Sequence, residues 1–171
     1  MRKISNQRGL SIVEVMIYIS IFGLIWSGAV VSIYSITESM NKNKTNSTIE
    51  EEAQFIIGKI KWALYDSSEI NLPIKNTTGN KLSLEKEIDS IKTTVILEPS
   101  QNDKNIEIQI AQNASLSLNS SLVRVSDLKF TYEVKNDNKT KIVIFSFNLN
   151  STTTNGLVIQ KAFKDNVYLK I

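Results

Sequence analysis

The sequence predicts an α+β protein, with one long N-terminal helix followed by an antiparallel β-rich head. Three observations predict it. A 27-residue run from Leu10 to Ile36 is almost wholly apolar. A stretch from Ile49 to Leu64 repeats apolar residues at three- and four-residue steps, the helical period. From Lys81 onward, apolar residues alternate with polar ones, the strand period.

The apolar run holds 19 apolar or aromatic residues, five serines, two glycines and one charge, Glu14. From Val15 to Thr37, 23 residues carry no charge. About 20 apolar residues cross a bilayer as a helix, so the run is long enough. A cleaved secretory signal has an apolar core of about 7–15 residues, and this one is longer. Gly23, Ser27, Gly28 and Ser32 are small, and small residues let helices approach closely in lipid. Arg2, Lys3 and Arg8 precede the run, in a nine-residue segment without an acid. A basic flank predicts a cytoplasmic N-terminus and an exported C-terminal part.

Those three residues also account for the net charge. The chain of 171 residues carries 20 basic and 17 acidic residues, for +3. Without the flank, 17 basic residues face 17 acidic ones. Arg124 is the only other arginine, so the bidentate contacts that recognise phosphate and guanine have no obvious source. Direct nucleic-acid binding is not expected. The chain has no cysteine and no histidine. That excludes disulfides, thiolate nucleophiles, Cys/His zinc sites and His-based acid–base catalysis. The sequence therefore predicts neither an enzyme nor a cofactor.

Residues Thr37 to Thr48 are polar and rich in Asn, Ser and Thr, which are weak helix formers. This stretch either continues the apolar helix or interrupts it. Ser47 with Glu50, and Thr48 with Glu51, fit capping boxes for a helix starting there. Ile49, Ala53, Ile56, Ile57, Ile60, Ala63 and Leu64 form its apolar face, which Phe55 and Trp62 are expected to widen. Glu50, Glu51 and Glu52 lie at its start and Lys59 and Lys61 near its end, as the helix dipole favours. Asp66-Ser67-Ser68 and Pro73 are expected to end it.

In the head, Ile106, Ile108 and Ile110 alternate with polar residues, as do Leu128, Phe130, Tyr132 and Val134, and Val167, Leu169 and Ile171. Lys141 to Leu149 is denser and reads as a central strand. Thr93 to Leu97, Leu122 to Val125 and Leu157 to Ala162 are further candidates, and Asn136-Asp137-Asn138 reads as a hairpin turn. Six or seven short strands in one antiparallel sheet, packed on the amphipathic helix, are expected. Asp103, Glu107, Asp127, Glu133 and Asp137 are scattered among apolar residues and read as a solvated strand face. Asp137 with its two asparagines lacks a full calcium ligand set, so no metal is expected.

Glu14 is the feature that a plain signal anchor does not explain. A carboxylate within a membrane span costs about 2.5–3.5 kcal/mol on insertion scales and is a functional-site hypothesis by default. The words around it are Gln7-Arg8-Gly9-Leu10-Ser11-Ile12-Val13-Glu14-Val15-Met16. This run resembles the cleavage and methylation motif of type IV prepilins and type II secretion pseudopilins, with Leu10 where Phe is usual and Ser11 where Thr is common. The resemblance implies that a prepilin peptidase cuts between Gly9 and Leu10, behind a leader charged by Arg2, Lys3 and Arg8. It implies N-methylation of Leu10, and a role for Glu14 in setting subunit register by pairing with the new amine of a neighbour. Phe55 to Leu64 also looks like the helix that leads into the head of minor, J-like pseudopilins, a looser match.

The resemblance implies a type IV pilin-like fold and a division into a leader (1–9), a transmembrane and polymerisation helix (10–37), an amphipathic continuation (38–70) and a β-rich head (71–171). It implies a minor pilin or pseudopilin, a structural subunit of a filament serving secretion, DNA uptake or adhesion. The partners would be other subunits, the peptidase, the inner-membrane assembly platform and membrane lipid. The chain would cross the cytoplasmic membrane once before entering a pilus or pseudopilus. The alternative is a membrane-anchored extracytoplasmic binding module that does not polymerise.

Overall fold

The helical spacing at the start of the chain is realised as one helix, α1 (Ile12–Leu64), in a computed structural model that describes residues 11–102, 104–135 and 140–169. The chain divides into two compact units between Lys42 and Asn43. The first holds the apolar part of α1. The second holds the rest of α1 and every described strand.

Among the described residues nine strands follow, namely β1 (Ser67–Leu72), β2 (Thr77–Gly79), β3 (Leu82–Ile88), β4 (Ile91–Pro99), β5 (Ile106–Ile110), β6 (Leu116–Ser117), β7 (Val123–Val134), β8 (Lys141–Thr152) and β9 (Val158–Leu169). They form two antiparallel sheets where one was expected, ordered β1-β3-β4-β5-β6 and β2-β7-β8-β9. The α+β class with one long N-terminal helix is what the structure has, and the layout is consistent with a pilin-like fold. Ile49, Ala53, Ile56, Ile60, Ala63 and Leu64 are buried in one core with residues of both sheets. Leu84, Val95 and Leu97 come from the first sheet, and Phe130, Phe145 and Leu149 from the second.

The expected capping boxes are not used. Helix continues through Ser47 and Thr48, and Thr48 Oγ1 donates back to the Lys44 carbonyl at 3.1 Å. Burial of the amphipathic face from Ile49 onward, rather than this back-bond, overrides the weak propensity there. At the other end, α1 stops at Leu64, short of residue 70. Asp66 takes φ 56°, the left-handed conformation that terminates helices, and Ser67 already starts β1.

Phe55 and Trp62 do not widen the buried face; they are 51% and 40% exposed. At about 100° per residue they lie on the side of α1 opposite Ile49, Ile56 and Ile60, together with Gly58 and Tyr65. The Lys59 ammonium lies 5.4 Å from the Phe55 ring centroid.

Two strand pairs read separately are single strands. Val123 and Val125 are buried, as are Leu128, Phe130 and Tyr132. The phase slip between the two sets is a β-bulge. Asp127 takes φ 55° there, the register shifts between Ser126 and Lys129, and the Asn148 amide donates to Asp127 Oδ2 at 2.9 Å. Likewise β9, which starts at Val158 and leaves Leu157 outside, joins the Leu157–Ala162 candidate to the Val167–Leu169 alternation. Strand β8 lies between β7 and β9, the central position expected of it. The Asn136-Asp137-Asn138 turn, Asp103 and Ile171 lie outside the described residues. Of the other scattered acids, Asp127 and Glu133 are exposed and Glu107 is half-buried.

Strand β3 escaped the pattern because its alternation, Leu82, Leu84 and Ile88, is broken by an inward lysine. Lys86 is 8% exposed, and its ammonium donates to the Trp62 and Tyr65 carbonyls at 2.5 and 2.6 Å. Those carbonyls belong to the last turn of α1 and the residue just after it, where the helix supplies no donors. The ammonium also sits 4.7 Å from the Trp62 ring centroid. Burial pushes the Lys86 amine below its ordinary value, with Asp66 partly opposing that. Lys86→Met keeps the volume and removes the donors. It is expected to cost about 1.5–3 kcal/mol, the worth of charged hydrogen bonds, in denaturant unfolding of the full chain in detergent. Wild-type stability would mean that water serves those carbonyls instead.

Two ion pairs tie α1 to β9: Lys161 to Glu50 at 2.8 Å and Lys61 to Asp165 at 2.7 Å. The Lys61 hydrogen bond holds the Asp165 carboxyl below its ordinary 3.8, against desolvation. A depressed carboxyl pKa stabilises the fold above 3.8, and the gain is lost as pH falls through the lower folded value. Both side chains are a third or more exposed, so solvent screening limits the gain to about 0.2–1 kcal/mol. Asp165→Asn is expected to flatten stability against pH below about 4, read from unfolding midpoints across that range. An unchanged slope would place the acid sensitivity elsewhere.

Candidate functional site

The site is the first turn of α1. Helix begins at Ile12, with the Val15 amide donating to the Ser11 carbonyl at 3.1 Å, and Glu14 is the acid of that turn. An acid at a helix N-terminus faces the positive end of the dipole and unpaired N–H groups. Glu14 is exposed, as are Val13, Val15 and Met16 around it. Tyr18, one turn on, donates its hydroxyl to Glu14 Oε1 at 3.4 Å, a long hydrogen bond. The sequence reading did not name Tyr18; its spacing of four from Glu14 was the available signal. Among the described residues no cation pairs with Glu14.

Beyond Glu14 the helix prepares an apolar surface. One window of 18 residues has a mean hydropathy of 2.0, and none of it is buried. Four hydroxyls on this surface bond back to the helix's own carbonyls. Ser20 donates to the Met16 carbonyl at 2.8 Å, and Ser27 to Leu24, Ser32 to Gly28 and Thr37 to Ile33, each at 2.9 Å. In lipid every polar group must find a partner within the protein, and these do. A Cβ added at Gly23 or Gly28 would meet nothing within 4 Å, so both are open to an approaching helix. Phe22 and Trp26 stack edge to face at 5.8 Å. Among the described residues there is thus one helix long and apolar enough to cross a membrane.

Of the residues singled out from sequence, the structure describes Glu14. Gly9, Leu10, Arg2, Lys3 and Arg8 lie outside the described residues. The head carries a separate polar cleft of about 490 Å³, with Lys104, Arg124 and Glu107 among its lining. Glu107 accepts a hydrogen bond from Ser115 at 2.8 Å. No protein-family model matches the chain, and no curated protein or solved structure matches it.

Proposed function

We propose that this chain is a minor pilin or pseudopilin, a non-enzymatic structural subunit of a type IV pilus-like filament. It is inserted in the cytoplasmic membrane, cut by a prepilin peptidase between Gly9 and Leu10, and drawn by an inner-membrane platform into a filament for secretion, DNA uptake or adhesion. One observation carries the reading: a lone carboxylate, Glu14, stands five residues after Gly9 in the first turn of a helix whose next 23 residues, Val15 to Thr37, carry no charge. Cutting after Gly9 creates an ammonium at Leu10, and a charge leaving water is tolerated mainly when paired. Glu14 of one subunit and the amine of the next supply that pair and set the axial register of helices whose surfaces are otherwise uniform, a role buried polar groups fill well. The exposed aromatic face at Phe55, Trp62 and Tyr65 supports a head that works among neighbours.

The test is mass spectrometry of the N-terminus of the membrane form. A mature chain beginning at Leu10, methylated or not, is the expected result. Residues 1–9 retained in cells with an active prepilin peptidase would overturn it. That result would favour the second reading, an anchored extracytoplasmic binding module, which the polar cleft at Lys104 and Arg124 recommends.

A further inference from the structure

The outward side of α1 carries a seam of its own. Glu51, Phe55, Gly58, Trp62 and Tyr65 follow one another at steps of four, three, four and three residues, and Thr48 and Lys44 continue the pattern toward the N-terminus. Such steps hold a stripe to one side of a helix and are the spacing at which parallel helices mesh. Tyr65 lies just past the last residue of α1 but continues its turn, since its amide donates to the Lys61 carbonyl at 2.8 Å. Every member except the half-buried Thr48 is exposed. A Cβ added at Gly58 would meet nothing within 4 Å, so the helix is open to close approach there. Most charges on this part of α1 are engaged within the chain. Glu50 and Lys61 are joined to β9, Glu52 accepts a hydrogen bond from the Ser120 amide at 3.2 Å, and Lys59 lies against Phe55. Lys44 and Glu51 take part in no ion pair among the described residues. Both lie on the seam, two turns or about 10.5 Å apart, too far to pair with each other.

We propose that this seam packs against the same seam of a second, parallel copy shifted by seven residues. The parallel direction follows from both copies entering the membrane by the same N-terminal helix, so the inference rests on the filament reading above. At a shift of seven, Lys44 of one copy stands level with Glu51 of the other, Phe55 with Trp62, and Gly58 with Tyr65. These are an ion pair, an aromatic pair, and a large side chain over the gap left by a glycine. Other registers lose this match. Unshifted copies oppose Lys44 to Lys44 and Glu51 to Glu51, and leave Gly58 facing Gly58. A shift of three or four sets Glu51 against Thr48 or Phe55. A shift of fourteen loses both the ion pair and the partner of Phe55. A surface ion pair adds little affinity, so the charges select the register while the aromatics supply the contact. A shifted contact cannot close on itself, and repeated it winds an open filament. It draws one copy about 10.5 Å outward relative to the other, and so belongs to the assembled filament rather than to subunits at rest in the bilayer.

The chain has no cysteine, so introduced thiols report the register alone. Full-length Thr48→Cys and Phe55→Cys variants are co-expressed in cells that assemble the filament, and each is also expressed alone. At a shift of seven, residue 48 of one copy stands level with residue 55 of the other, within the Cα separation of about 4.4–6.8 Å that a disulfide spans, while like residues are displaced by about 10.5 Å along the axis. After mild oxidation of sheared filaments, a disulfide dimer at least about tenfold more abundant in the mixture than in either variant alone is expected. In that pair, Lys44 of the Thr48→Cys chain faces Glu51 of the Phe55→Cys chain. Adding Lys44→Glu to the first chain turns attraction into repulsion and should lower the dimer about fivefold; adding Glu51→Lys to the second should restore it. Both positions are exposed, so unfolding midpoints should stay at wild type. Equal dimer in Thr48→Cys alone would mean unshifted helices, and filaments without dimer in the mixture would leave the seam to another partner; either result overturns the proposal. A dimer indifferent to the charge reversal would equally reject the register. N-terminal mass spectrometry of the same samples keeps the two readings apart: a processed chain that enters filaments without the disulfide sinks the seam alone, while a chain absent from filaments sinks both.

Discussion

Glu14→Leu is expected to leave membrane insertion and leader removal intact and to abolish entry into the filament. The substitution removes a carboxylate that costs about 2.5–3.5 kcal/mol within a span, so insertion is not impaired. It also removes the only charge of the apolar run Leu10–Ile36, and with it the group that, in the proposed function, answers the amine cleavage would create at Leu10. Helices that present uniform apolar surfaces can still pack side by side, but nothing then specifies how far one slides along another. Incorporation, scored by immunoblot of sheared filaments against the processed membrane pool, should fall by at least about tenfold, equivalent to about 1.4 kcal/mol of lost register preference. Filament content equal to wild type would remove Glu14 from assembly. Tyr18→Phe offers a milder companion: it deletes one 3.4 Å hydrogen bond to Glu14 and should leave incorporation nearly unchanged.

Phe145→Ala should be the most damaging single truncation in the head. The ring is 1% exposed in the central strand β8 and stands directly across from Phe130, itself fully buried. Removing such a ring loses transfer free energy and leaves a cavity that neighbouring strands cannot close, at a cost of about 3–5 kcal/mol. Phe55→Ala, in contrast, removes an aromatic ring that is 51% exposed, and should cost no more than about 1 kcal/mol. Urea unfolding of the full chain in detergent, followed by tryptophan fluorescence, measures both. Equal losses at the two positions would mean that the outer face of α1 is buried in the folded chain.

That comparison also marks where sequence reading reached its limit. Ile49, Ala53, Ile56 and Ile60 were legible as core because their spacing leaves one direction for burial. Phe55 and Trp62 were not, since an aromatic beside an apolar stripe carries no mark of which side of it meets the sheet. Strand β3 was hidden because one inward position is Lys86, whose burial is permitted only by the carbonyls of the α1 C-terminus across the fold. The bulge at Asp127 looked like a break between strands, because a single extra residue inverts the alternation that reveals them. At the candidate site, the Gly9–Leu10–Glu14 spacing was readable in full, while Tyr18, four residues from Glu14, was equally in the sequence but carried no mark of a hydrogen bond.

The sequence alone determined the long apolar helix, its single acid, the amphipathic turns after it and the β character of the head, because each is a local periodicity that one stretch of chain expresses by itself. Tertiary structure decided the division into two sheets, the burial of Lys86, and the outward turn of Phe55 and Trp62. Those depend on which distant segment lies opposite, and hydrogen bonds and contacts across the fold, rather than neighbours along the chain, supply the energy that selects it.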